Sequence, residues 1–146
     1  MNLVLDANVF ASVCNTNLKA YKFMNYILDD DNIYIVIDNE KEILKEYQKF
    51  LDENRFLYIW FMEMNQRKKF GKYSKKLHKK VHKNLTDLSF HPKDFKFVGV
   101  AIQSKSKYIV IEADSSNWEK VREFLSGFYK ISIVDCESCL KILNNN

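Results

Sequence analysis

Residues 1–10 read MNLVLDANVF: a short apolar stretch suited to a buried strand, then an aspartate, an alanine and an asparagine. Apolar runs of the same kind recur at 33–37 (IYIVI), 108–111 (YIVI) and 131–134 (ISIV), all rich in β-branched or aromatic side chains. With residues 2–6 these predict four strands. Between them the apolar period changes to that of a helix. Residues 18–29 place Leu18, Tyr21, Met24, Ile27 and Leu28 on one stripe, and 40–51 do the same with Ile43, Leu44, Tyr47, Phe50 and Leu51. The segment 54–85 reads as two helices meeting near Gly71. Pro92 opens a helix over 92–103, and helices follow at 116–126 and 136–144. Strands separated by helices need crossover connections. The expectation is an α/β fold with a central parallel sheet of about four to five strands and helices on both faces, a Rossmannoid arrangement.

The chain of 146 residues is the size of one domain, so residues 1–146 are read as a single unit. Hydrophobic content of 47% with three glycines and one proline excludes disordered, collagenous and repeat classes. No stretch approaches the ~18 apolar residues of a membrane span, and the first apolar run has no basic flank. A cytoplasmic protein without membrane contact is expected. Three cysteines, an odd number, predict free thiols.

Charge is unevenly placed. Residues 67–83, RKKFGKYSKKLHKKVHK, hold nine basic side chains and no acid. Without those nine, 14 basic residues face 19 acidic ones, so the remainder carries −5 although the whole carries +4. An acidic body with one basic segment points to a polyanionic partner, nucleic acid first.

In open parallel sheets the functional crevice lies outside the carboxyl ends of the strands. Asp6 stands there after the first strand, and Asp114 stands there after the third in YIVIEAD. Asp94 precedes Phe97, Val98 and Ala101 by three, four and seven residues, so it projects from the first turn of an apolar face. Glu46 lies three after Ile43 and four before Phe50, at the border of a buried stripe. Glu40 lies nearer the centre of that stripe, and spacing leaves the choice between them open. Each acid alone fits a turn, a cap or a solvated edge. Together they would repel by roughly 4 kcal/mol per pair at about 4 Å and an effective dielectric near 20, which calls for protons or a cation between them. All-oxygen ligation suits Mg²⁺ or Mn²⁺, which activate water and stabilise charge on a phosphodiester.

LVLDANVF at the N-terminus, ILKEY after the second strand, HPKDFKFVGVAI before the third and YIVIEADSSNW after it resemble the successive motifs of the PIN domain family, over nearly the whole chain. The resemblance implies a PIN-like fold whose acidic cluster binds metal and cleaves RNA, often as the toxin of a toxin–antitoxin pair. It casts Asp6, Glu46, Asp94 and Asp114 as the four metal-binding and catalytic acids. Asn8, two residues after the first acid, would hold Asp6 or a metal-bound water. The threonine-glycine-aspartate usual in the family is replaced by Glu112-Ala113-Asp114, which admits Glu112 as the fourth acid in place of Asp114.

The basic segment is expected to be a helical arm that contacts the phosphate backbone through Lys68, Lys69, Lys72, Lys75, Lys76, Lys79, Lys80 and Lys83, leaving Tyr73, Leu77 and Val81 to pack. Tyr73 and His78 would stack on unpaired bases, so single-stranded RNA is the expected partner. An inhibitory antitoxin and a homodimer are compatible with the reading. His78 and His82 have the spacing of two metal ligands, and Cys136 and Cys139 form a C-x-x-C pair. A zinc site from these halves competes with a simpler reading, in which the histidines join the basic face and the cysteines pack on an amphipathic helix. The expected function is a Mg²⁺- or Mn²⁺-dependent endoribonuclease, and the alternative is a noncatalytic PIN-like module that binds RNA or a partner. No G-x-G-x-x-G or P-loop pattern supports a nucleotide-handling enzyme.

Overall fold

The computed structural model describes residues 1–113 and 115–145. The four apolar runs are strands, β1 (Asn2–Leu5), β2 (Tyr34–Asp38), β4 (Tyr108–Ile111) and β5 (Ser132–Asp135), and a further strand, β3 (Phe70–Tyr73), joins them. All pair in parallel in one sheet of order β3-β2-β1-β4-β5. Leu3 is opposite Ile35 on one side and Tyr108 on the other, which fixes the central register. Continuous burial of Leu3, Val4 and Leu5, and of Ile35, Val36 and Ile37, shows that both faces of the central strands are covered.

The helices are α1 (Asn8–Cys14), α2 (Leu18–Asp29), α3 (Glu42–Gln48), α4 (Arg55–Gln66), α5 (Lys79–Asp87), α6 (Phe95–Ser104), α7 (Ser116–Glu119), α8 (Arg122–Tyr129) and α9 (Cys136–Asn144). Several start on side-chain caps. Asn17 accepts from Lys19 and Ala20 N–H, Asn54 from Leu57 N–H, and Asp135 from Ser138 N–H. From β1 the chain moves outward to β2 and β3, then crosses back to β4 and β5. Right-handed crossovers in opposite directions put helices on both faces. α6 lies across β1 to β4 on one face, and α3 and α4 cover the other face of β2 and β3. Phe10, Tyr47 and Trp60 meet under the sheet, with Phe10 stacked on Tyr47 at 4.2 Å.

The expectation of two helices over 54–85 is corrected. α4 ends at Gln66, and Phe70–Tyr73 add to the sheet beside Ile35–Asp38 before α5 begins. The alternation explains it: Phe70 and Lys72 face α4, while Tyr73 turns to the α6 face, where its hydroxyl accepts from Asn2. Gly71 is a strand residue, not a helix break. A different glycine does limit packing. A Cβ on Gly99 of α6 would lie 2.0 Å from the Lys75 carbonyl oxygen, so Gly99 lets the segment after β3 settle on α6. All three cysteines are free thiols, with Cys136 and Cys139 buried. Among the described residues no helix is long and apolar enough to cross a membrane.

Candidate functional site

The strand order reverses between β1 and β4, and the crevice opens at their carboxyl ends. Asp6 extends that edge: its N–H donates to the Val110 carbonyl at 2.9 Å, so the last rung between β1 and β4 sets its position. The residue is 5% exposed. Its carboxyl is pushed up from the ordinary 3.8 to about 7, first by burial, then by the negative charge of Asp94, and to a smaller extent by that of Glu46. Hydrogen bonds from Trp118 and from the Ala7 backbone oppose that rise without cancelling it.

Asp94 closes a 3₁₀ turn, Pro92–Asp94, that leads into α6, and it is buried. Asn117 at the start of α7 holds it. The Asn117 amide donates to Asp94 Oδ2 at 2.7 Å, and its carbonyl accepts from His91 N–H at 3.0 Å. Glu46 reaches the same place from α3. Its Oε1 lies 3.3 Å from Lys96 Nζ, and its Oε2 is buried with no hydrogen-bond partner. Asp6, Asn8, Glu46 and Asp94 thus line one hollow of about 590 Å³, with His91, Lys93, Asn117, Trp118 and Lys120 on its other walls. Glu40 does not line it. Glu40 precedes α3 and borders the neighbouring hollow, whereas Glu46 on α3 lines this one.

Asp114 lies outside the described residues. Glu112, its possible substitute, is committed elsewhere. One oxygen accepts from Cys136 N–H at 3.0 Å and the other from the Asn17 amide at 3.1 Å, so this carboxylate ties the start of α9 to the loop before α2. Glu112 thus joins these two elements and does not line the acid hollow. Among the described residues, no group of three or more acidic, histidine or cysteine side chains is drawn together tightly enough to hold a metal ion. Lys96 pairs with Glu46, while Trp118 and Asn117 hydrogen-bond Asp6 and Asp94. The chemistry of the set still suits a hard cation. Buried carboxylates repel one another here, and one of their oxygens has no donor.

The lysines do not form one helical arm. Lys69 is 2% exposed, and its ammonium donates to the Ile27, Leu28 and Asp30 carbonyls at the end of α2. It closes a helix terminus and is no RNA contact. Lys75 pairs with Glu42 and Lys83 with Asp87. Lys75 and Lys76 line a hollow beside the acid site, together with Lys93 and Lys96. Lys68 and Lys72 face another hollow, and Lys79 and Lys80 are exposed on α5. Tyr73 is half-buried and hydrogen-bonded to Asn2, which takes it away from base stacking. His78 caps α5 through Nδ1, and Cys136 and Cys139 belong to the core, so the imagined zinc halves do not meet.

Asn117, Trp118 and Lys96 were not singled out by sequence. The signal for the first two was the SNW that follows the third apolar run, a turn chemistry at a strand tip. Compared with protein families, curated proteins and solved structures, the chain finds no match.

Proposed function

We propose that the chain is a PIN-like, divalent-metal-dependent endoribonuclease centred on Asp6, Asp94 and Glu46. One observation carries the reading: Asp6 sits buried at the switch point of the sheet, where the negative charges of Asp94 and Glu46 add to burial in raising its carboxyl pKa. Asp6, Asp94 and Glu46 would hold Mg²⁺ or Mn²⁺, with Asp114 as the fourth acid by resemblance. When bound, the ion would activate water and offset the charge that develops on the phosphodiester.

The chain's own residues do the rest. Asn117 fixes the rotamer of Asp94, and Trp118 does so for Asp6 while its indole excludes water from one side. His91 Nδ1 accepts from Lys93 N–H, so the neutral ring carries its proton on Nε2 and can donate to a phosphate oxygen. Lys93 and Lys120 border the same hollow and favour a polyanion over a neutral ligand. We take single-stranded RNA as the substrate class.

The noncatalytic module keeps one specific support, the Lys96–Glu46 ion pair, which occupies a candidate ligand. Cleavage of a fluorescent single-stranded RNA decides between the two. Wild type with Mn²⁺ or Mg²⁺ cuts, and both EDTA and Asp6→Asn stop the cut while RNA binding persists. Intact salt-sensitive binding with no cleavage under any metal overturns the nuclease reading in favour of the module.

A further inference from the structure

α3 presents two faces. Ile43 and Tyr47 are buried on one, with Glu46 beside them at the acid hollow. Lys41, Leu44, Lys45 and Gln48, spaced by three, four and seven, make the opposite stripe. That stripe bounds a separate hollow of about 450 Å³, closed by Lys68 after α4 and Lys72 on β3. Its floor is apolar, with the Phe61 and Phe70 rings 5.4 Å apart. No acidic residue lines it, and none of the four lysines has an ion pair among the described residues. Four unpaired cations therefore surround one cavity in a chain whose whole net charge is +4.

We propose that this hollow is a second RNA-backbone site, which holds phosphates of the bound strand on the far side of α3 from the acid site. The identity of the polyanion rests on the ribonuclease reading. Continuity favours a strand over a small anion. The hollow lined by Lys76, Lys93 and Lys96 adjoins the acid site, sharing Pro92 and Lys93 with it, and is bordered by Glu40 and Glu42 on either side of Lys41. Lys76 and Lys93 line this intermediate hollow, and Lys41, between its lining residues Glu40 and Glu42 in sequence, lines the far one. All four lysines of the far hollow are exposed, which suits mobile ammonium groups tracking a flexible backbone rather than a rigid cage. Gln48 and Asn65 offer amides to sugar or base edges without demanding a sequence. The substrate is then a single strand long enough to bend around one helix.

Fluorescence anisotropy in EDTA tests this without requiring cleavage. Two RNAs are used, one long enough only to fill the acid site and one several times longer, with wild type, Lys41→Gln/Lys45→Gln and Lys68→Gln/Lys72→Gln. Each double variant is expected to weaken the longer RNA several-fold and to leave the shorter one unchanged. The salt dependence of log K for the longer RNA should become shallower by about 1.4 for two lost phosphate contacts on a single strand. Agreement between variants on different elements excludes a local folding defect. Unchanged affinity for the longer RNA, equal weakening of both RNAs, or no RNA binding by wild type each overturn the proposal. Binding as expected without cleavage under metal leaves this site standing and overturns only the nuclease reading.

Discussion

Two buried aspartates stand at the ends of neighbouring strands and do different work. Asp38, the last residue of β2, is fully buried, and its two oxygens accept from Glu42 N–H at 3.0 Å and Ile43 N–H at 2.8 Å. The carboxylate finds its partners in the first turn of α3 and stabilises the helix dipole there. Asp6, after β1, is as deeply placed, but α1 begins without a side-chain cap, and Asp6 faces Asp94 and Glu46. The same residue type at the same structural place is a cap in one case and a carboxyl pressed by two like charges in the other. What separates them is the company each side chain keeps, and only the second arrangement asks for a cation.

The comparison can be broken most forcefully by activity. Asp6→Asn should reduce RNA cleavage by roughly a thousandfold, the scale of removing a preorganised charge contact, with the fold intact by circular dichroism. Asp38→Asn should retain most activity per folded molecule in the same assay, because its oxygens touch only backbone.

Stability should invert that order. The Asp6 carboxyl rises from 3.8 in the unfolded chain to about 7 in the folded one, so between those values the folded chain keeps a proton that the unfolded chain has released. Its contribution is fully present below 3.8 and is lost as the pH climbs to about 7, a fall of about 4 kcal/mol. Urea midpoints of the metal-free protein should therefore decline over that window, and Asp6→Asn should flatten the decline. Asp38→Ala should instead cost about 2–3 kcal/mol near neutral pH, since two helix N–H groups lose a charged acceptor.

Lys96→Gln sharpens the picture from a third side. It leaves Glu46 without its counter-ion and should lower metal-free stability by roughly 1–3 kcal/mol, given that the pair is partly exposed. Added Mn²⁺ should recover that loss in a thermal melt if Glu46 is a ligand. The smallest effect is expected from Asn117→Ala, which frees Asp94 to rotate and should weaken metal affinity about tenfold with little change in the melt.

Much of this was legible in the residue order. IYIVI and YIVI read as strands, and LKAYKFMNYILD as the helix found at Leu18–Asp29, but its buried face is Ala20, Phe23, Met24 and Ile27, with Leu18 and Tyr21 of the expected stripe exposed. Asp6, Glu46 and Asp94 were legible because a strand tip, a helix border and a Pro-led first turn all point at one edge of the sheet. β3 was not, since FGKY offers two aromatic rings among lysines and is too short for its alternation to stand out. The burial of Lys69 was hidden for another reason: its carbonyl partners lie about forty residues earlier, at the end of α2. Glu112 looked interchangeable with Asp114 until Asn17 and the N-terminus of α9 claimed both its oxygens. Local chemistry announces strands and caps, whereas the partner of a charged side chain is a tertiary fact.

The most direct measurement is calorimetric titration of Mn²⁺ into the wild type, Asp6→Asn and Asp38→Asn near neutral pH. Binding by wild type and Asp38→Asn, lost in Asp6→Asn, is the predicted result. Equal binding by Asp6→Asn and wild type, or none by wild type, would contradict the claim that the charge at the tip of β1 is kept for a cation.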